Sequence, residues 1–178
     1  WEKNEFGDFE YTSLYYIPPT KEDYLQPTFS SIAKHDNRVV FKSQDLLFFY
    51  NPTEGSITSL KAPEYYKDIF KTSSHLFYSD FQGGVYTIEG DDMTLFEDFK
   101  QINSELVNVF EIAQDDYVFV FKNGQIWSKK GGIIKNVANL KSIVINEAIF
   151  NQSKELVIGT NQNGIYILDN QYRPKKTI

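Results

Sequence analysis

Few side chains in this chain are equipped for chemistry. His35 and His75 are the only imidazoles, Arg38 and Arg173 the only guanidiniums, and there is no cysteine. Disulfides, thiolate nucleophiles and Cys-ligated metals are therefore excluded. A metal centre or a nucleophile–base pair would need an imidazole whose partners converge on it in space. Both histidines sit in polar segments just ahead of apolar runs. That predicts solvent-facing turn residues, since loops carry polar residues by default. Carboxylates occur in adjacent pairs, Asp91-Asp92 and Asp115-Asp116. A glycosidase needs two carboxyls facing each other across a cleft, whereas neighbours within a turn point apart. Asp91, Asp92 and Glu97 also miss the alternating oxygen spacing of a calcium loop. The expectation is a chain with no catalytic residue, no metal site and no cofactor. For binding, the candidates are Tyr15, Tyr16 and Tyr24, flat faces near Pro18-Pro19 that suit a sugar ring. The alternative for these three is a loop packed on a sheet edge.

Something must position these groups, and the spacing of apolar runs says what. Polar turn residues lead into runs centred on Val40, Phe77, Val118 and Val157, at steps of 37, 41 and 39 residues. A second set begins at Leu47, Val85, Ile126 and Ile165, at steps of 38, 41 and 39. A third set precedes the first (Phe29-Ser30-Ser31-Ile32, Asp68-Ile69-Phe70, Val107-Asn108-Val109-Phe110, Ala148-Ile149-Phe150). A fourth follows the second, at Ile57, Thr94, Ile133 and Lys176. Four short strands per unit of about forty residues is the period of a β-propeller blade. One such sheet cannot bury both of its faces; stacking blades in series buries them. An aromatic content of 16% supports strands, because flat rings pack on pleated surfaces. Gly83, Gly124 and Gly164 stand just before the second-set strands, where a tight hairpin requires positive φ. The first repeat has Ser43-Gln44-Asp45 instead. No helix follows these glycines, so they do not form a phosphate cradle.

The predicted fold is all-β, with about four four-stranded antiparallel blades from a larger propeller. Residues 1–26 are read as the end of a preceding blade or a linker. The repeats span 27–65, 66–105, 106–144 and 145–178. A closed seven-bladed ring would need roughly 280 residues at this period, and the sequence opens on Trp1, so a longer parent is expected. Exposed edge strands predict self-association. The net charge of −6 argues against nucleic acid, whose phosphates call for a clustered basic surface. No apolar run approaches the roughly 20 residues that span a bilayer.

The stretch Leu156-Val157-Ile158-Gly159-Thr160, followed by a polar gap, then Gly164-Ile165-Tyr166-Ile167-Leu168-Asp169, resembles the two-component regulator propeller repeat. That repeat reads apolar-Trp-Ile-Gly-Thr, a gap, Gly-Leu-Tyr and a strand ending near Asp. Here Leu156-Val157 stands for its Leu-Trp pair. The run from Leu76 to Tyr86, with Gly83-Gly84-Val85-Tyr86, is a looser copy, and Arg38 to Tyr50 looks like a degenerate one. The resemblance implies the extracytoplasmic sensor region of a hybrid two-component or LuxR-like membrane regulator. Such a region lies in the periplasm of a Gram-negative bacterium, ahead of a membrane helix and a kinase or helix-turn-helix output. It implies a non-catalytic domain that recognises a small molecule or oligosaccharide, with membrane contact only through other parts of the parent. The rival readings are a catalytic carbohydrate-active propeller and a generic protein-interaction propeller. The scarcity of arginine counts against sialidase-type chemistry. The absence of Trp-Asp and Gly-His pairs counts against the WD class.

Overall fold

Alternating apolar residues become strands wherever a turn residue lets the chain reverse, and this happens sixteen times between Ser31 and Thr177. The computed structural model describes residues 2–3, 9–10, 28–44, 46–61, 66–90 and 92–178. Two short strands, β1 (Glu2–Lys3) and β2 (Phe9–Glu10), pair with each other. The remaining strands form four antiparallel four-stranded sheets in simple chain order. The first sheet holds β3 (Ser31–His35), β4 (Arg38–Lys42), β5 (Leu46–Asn51) and β6 (Ser56–Lys61). The second holds β7 (Tyr66–Lys71), β8 (Leu76–Asp80), β9 (Gly84–Glu89) and β10 (Asp92–Asp98). The third holds β11 (Leu106–Ala113), β12 (Asp116–Phe121), β13 (Gln125–Lys130) and β14 (Ile133–Asn139). The fourth holds β15 (Ile145–Phe150), β16 (Leu156–Thr160), β17 (Ile165–Leu168) and β18 (Pro174–Thr177). One 3-10 turn, Lys100–Ile102, links the second sheet to the third. Among the described residues no helix is long and apolar enough to cross a membrane.

Strand register shows why the sheets stack. Because side chains alternate, each sheet presents one row of residues forward, to the next sheet, and one row backward. The forward rows are Ala33–Val40–Phe49–Thr58, Phe70–Phe77–Thr87–Thr94, Phe110–Val118–Ser128–Lys135 and Ile149–Val157–Ile167–Lys176. Val40 and Phe49 bury against Leu76, Tyr78 and Ile88 of the second sheet. Phe77 buries against Tyr117 and Phe119 of the third. Val118 buries against Ile158 and Leu156 of the fourth. The core is thus three apolar seams between consecutive sheets. The forward row of the fourth sheet has the composition of a seam but lies open: Ile149 is 58% exposed where its counterpart Phe70 is 7% exposed.

The first strands of successive sheets lie side by side, which puts them innermost around a common axis. In the second, third and fourth sheets that strand carries a bulge, between Tyr66 and Asp68, Leu106 and Asn108, and Ile145 and Glu147. The residue after the bulge then bonds sideways. Asp68 Oδ1 accepts from Ser31 Oγ of the first sheet at 3.0 Å, and Asn108 Nδ2 donates to Ala148 O of the fourth at 3.1 Å.

The hairpin glycines behave as their positions require. Gly83, Gly124 and Gly164 have φ of 96°, 87° and 74°. A Cβ on Gly124 would strike the Leu140 carbonyl oxygen, and one on Gly164 the Ile178 carbonyl oxygen. In the first repeat Ser43 takes over, its hydroxyl bonding both Leu46 O and Leu46 N.

Two expectations need correction. Strand β3 starts at Ser31 and runs on to His35; Phe29 precedes it and packs on Phe41 and Phe48, each ring 5.5 Å away. The histidines are not solvent-facing turn residues. His35 is only 5% exposed and His75 is half-buried, because the next sheet closes over the turn that carries each of them. Residues 11–27, which include Tyr15, Tyr16 and Tyr24, lie outside the described residues, as do Asp91 and 62–65.

Candidate functional site

At one end of the stack, the turns after each first strand meet the turns after each third strand. There the residue after the forward-row position of each first strand (Lys71, Glu111, Phe150) reaches back to the preceding sheet, and the chemistry of this reach differs from seam to seam. Between the first and second sheets, Lys71 Nζ approaches His35 Nδ1 at 3.5 Å. Burial holds the His35 imidazole below its usual range; Asp36, 3.6 Å from it, opposes this, and Lys71 and Arg38 reinforce it.

Between the second and third sheets the corresponding residue is Glu111. Its carboxylate accepts from Ser73 Oγ at 2.7 Å, Ser74 N at 2.8 Å and Ser74 Oγ at 2.5 Å. Burial alone would raise this carboxyl, but the hydrogen bonds from Ser74, Ser73 and Thr72 outweigh it and hold the pKa down to about 2. Beneath this clamp, the Tyr117 hydroxyl lies 3.1 Å from His75 Nδ1, and both rings pack on Phe77. Burial, then Glu111 and Asp115, push the Tyr117 phenol up. Between the third and fourth sheets the reach is apolar: Phe150 meets Phe110 edge-on, with ring centres 5.0 Å apart.

The last two of these seams border a recess of about 430 Å³ whose walls come from the second, third and fourth sheets. Phe110, Phe150 and Tyr172 supply its aromatic surface, and Lys71, Lys154 and Glu111 its charges. Its size falls within the range of small-molecule sites. Two of its lining residues, Lys154 and Tyr172, are non-glycine residues at φ of 59° and 60°. Sequence reasoning did not single them out; the signal available was the turn chemistry of Asn151-Gln152-Ser153 and Asp169-Asn170-Gln171. A second recess, about 380 Å³, lies at the opposite end of the stack, between the turn at Gly83 and the 3-10 turn, with Lys100 and Asn103 in its wall.

The described members of the two carboxylate pairs do not face each other across a cleft. Asp115 is exposed, with φ of 56°, and Asp116 lies 3.4 Å from Lys130 across the hairpin. Asp92 is exposed. Among the described residues no group of three or more His, Asp or Glu side chains could hold a metal ion. Lys129 fastens the outer strands of the second and third sheets, 2.8 Å from Glu97 and 4.0 Å above the Phe96 ring.

Four stacked four-stranded antiparallel sheets with their first strands innermost are propeller blades, and the chain is an arc of a β-propeller. No family model and no curated protein matches the sequence. Solved structures match in fold. The extracellular domain of BT4673 from B. thetaiotaomicron, described as a one component or hybrid two component system, superposes with a TM-score of 0.67 at 15% identity, over 84% of this chain and 22% of that one. It is an extracellular region of the same kind of protein as the repeat that residues 156–169 resemble. Virginiamycin B lyase from Staphylococcus aureus superposes with a TM-score of 0.71 at 16% identity, over 99% of this chain and 61% of that one. Regucalcin from Agrobacterium tumefaciens, a calcium-binding protein, gives 0.64 at 14%, over 85% and 60%. The chain therefore spans between about a fifth and three fifths of these similar proteins.

Proposed function

We propose that this chain is a non-catalytic, ligand-recognising arc of a sensory propeller in a bacterial signal-transduction regulator, positioned outside the cytoplasm. One coincidence carries the reading: the repeat that residues 156–169 resemble belongs to sensor regions of membrane regulators, and the blades superpose on the extracellular domain of a two component system. The recess bridging three blades supports a recognition role, since a ligand there touches three rigid bodies at once. Binding that favours one relative setting of those blades biases the ensemble toward it. The open forward row of the fourth sheet supports self-association or docking of a further blade.

The second reading is catalytic. It draws on the likeness to virginiamycin B lyase and on the His75–Tyr117 pair, an imidazole and a phenol in contact. One experiment separates the two. The chain is screened by thermal shift against small molecules and oligosaccharides, and each binder is then incubated with it and followed by mass spectrometry. The sensory reading expects a saturable shift with the binder recovered unchanged. Turnover of a binder, abolished by His75→Gln, would replace it with the catalytic reading.

A further inference from the structure

We infer that the recess bridging the second, third and fourth blades binds a ring-bearing organic anion, an aromatic or alicyclic carboxylate. Phe110, Phe150 and Tyr172 would form its platform, and Lys71 and Lys154 its cationic rim. This rests on the sensory reading and names the ligand class of that site.

The first support is composition. The wall combines half-buried rings, Phe110 against Phe150, with the exposed Lys71 and Lys154. Flat apolar faces hold rings. The charges do not cancel. Glu111, the one carboxylate in the wall, already accepts three hydrogen bonds from Ser73 and Ser74, and its acceptor capacity is committed to that clamp. Lys154 makes no ion pair among the described residues. Lys71 makes no ion pair among the described residues; its Nζ lies 3.5 Å from the His35 ring nitrogen of the first sheet. Acceptors that would read a neutral sugar's hydroxyls are few: Asn170 is the one side-chain amide in the wall and Glu111 the one carboxylate. An anion finds two lysines.

The second support is residue type at two hairpin positions whose positive φ recurs through the repeats, at Asp36 and Asp115 in the turns equivalent to that of Lys154 and at Gly55, Gly90 and Gly131 in those equivalent to that of Tyr172. The turn bearing Lys154 is pinned by Asn151, whose Oδ1 accepts from Glu155 N at 2.9 Å and whose carbonyl accepts from Lys154 N at 3.0 Å. The turn bearing Tyr172 is pinned by Asp169, whose Oδ1 accepts from Gln171 N and Arg173 N, each at 2.9 Å. In both turns the pinning side chain is another residue, and the strained position carries a long cation or a large ring. Asn or Gly would hold either backbone at lower cost. The other described non-glycine residues with positive φ are Asp36, Asn103, Asp115 and Ser142, all short polar residues; Lys154 and Tyr172 are the exceptions. Both of these residues face one recess.

The test uses 4-hydroxyphenylacetate and cyclohexanecarboxylate as ring anions, 4-hydroxyphenylacetamide as the uncharged control, and maltotriose and xylotriose as neutral sugars. Affinities come from calorimetry and thermal shift. Ring anions are expected to bind saturably, with the amide at least tenfold weaker. Tyr172→Asn and Lys154→Asn keep the left-handed turns and are expected to weaken the anions at least tenfold; Lys154→Asn should leave Tm unchanged or raised, whereas Tyr172→Asn should lower it, because the ring also packs against the seam between the third and fourth sheets. Anion binding unchanged in both variants, or equal binding of acid and amide, would overturn the inference. Saturable binding of a neutral sugar with no response to ring anions overturns it as well but leaves the sensory reading standing. Silence toward every probe counts against both.

Discussion

The forward rows allow a single substitution to be made at equivalent sites with and without a seam. Val118 and Val157 occupy the same register position in successive sheets, yet Val118 is fully buried against Ile158 while the side of Val157 away from the stack is open. Truncating Val118 to Ala removes two buried carbons, about 1.6 kcal/mol of transfer energy at ~0.8 kcal/mol per group. The cavity left in a seam that cannot collapse brings the cost to about 2–3 kcal/mol. The same truncation at Val157 should cost below about 1 kcal/mol, because one side already faces solvent. For a chain of this length each kcal/mol moves Tm by roughly 2–4 °C. Val118→Ala should therefore lower Tm by about 4–12 °C and Val157→Ala by under about 4 °C. Urea titration at matched m-values provides the comparison, with concentration varied to detect association. Equal losses at low protein concentration would refute series stacking as the source of stability. Equal losses that appear only at high concentration would mean that a second copy covers the fourth sheet.

Four further outcomes follow from the same geometry. Glu111→Gln should cost about 1–2 kcal/mol at neutral pH, discounted for partial exposure. The folded pKa lies near 2, below the unfolded value of 4.5, so this stability is present above about pH 4.5 and is lost as pH falls through 2; Tm against pH for both proteins checks it. His35 has a folded pKa below its unfolded 6.5, so its neutral form stabilises the fold above that pH, and acidification below it should cost the wild type more than His35→Asn, again read by Tm. Gly124→Ala combines positive φ with a collision against Leu140 O and should cost more than about 2 kcal/mol by urea unfolding, whereas Gly131→Ala, with nothing near its absent Cβ, should cost only the strain of its φ, about 1 kcal/mol. Lys129→Met keeps the packed stem but removes the contacts to Glu97 and the Phe96 ring, and should cost about 1 kcal/mol with the difference falling at high salt.

Period and register were visible in the chain because they are local. The spacing of Val40, Phe77, Val118 and Val157 marks second strands, and the structure places all four in one forward-facing register. Positive φ at Gly83, Gly124 and Gly164 could be read from hairpin chemistry alone. What lies between sheets could not be read this way. His35 and His75 look like turn residues because a one-dimensional reading cannot see the next sheet folding over them. Glu111 looks like one more surface carboxylate until Ser73 and Ser74, some 37 residues earlier, wrap it. Strain at Lys154 and Tyr172 was hidden for a different reason. Neither residue type prefers the left-handed region, so propensity points away from the conformation that Asn151 and Asp169 impose.

The division of labour along the repeat explains why a site would form where the recess is. Middle strands β8 and β12 are sealed on both faces, so their residues are fixed by packing and leave little room for function. Turns at the ends of the strands lie outside the apolar seams and meet the next sheet through polar contacts, and their sequences diverge from sheet to sheet. The reaching residue shows that freedom: Lys71 in the second sheet, Glu111 in the third and Phe150 in the fourth, one equivalent position in three chemistries. Equivalent positions on neighbouring blades converge toward the axis, so three divergent residues become one wall. A ligand held by that wall would touch rigid sheets joined chiefly by apolar seams, with hydrogen bonds such as Asp68–Ser31 and Glu111–Ser74 at their ends. Such seams are non-directional, and they tolerate small rotations better than a hydrogen-bonded interface would. On the proposed sensory reading, recognition at the turns and adjustment at the seams would be properties of the same stack.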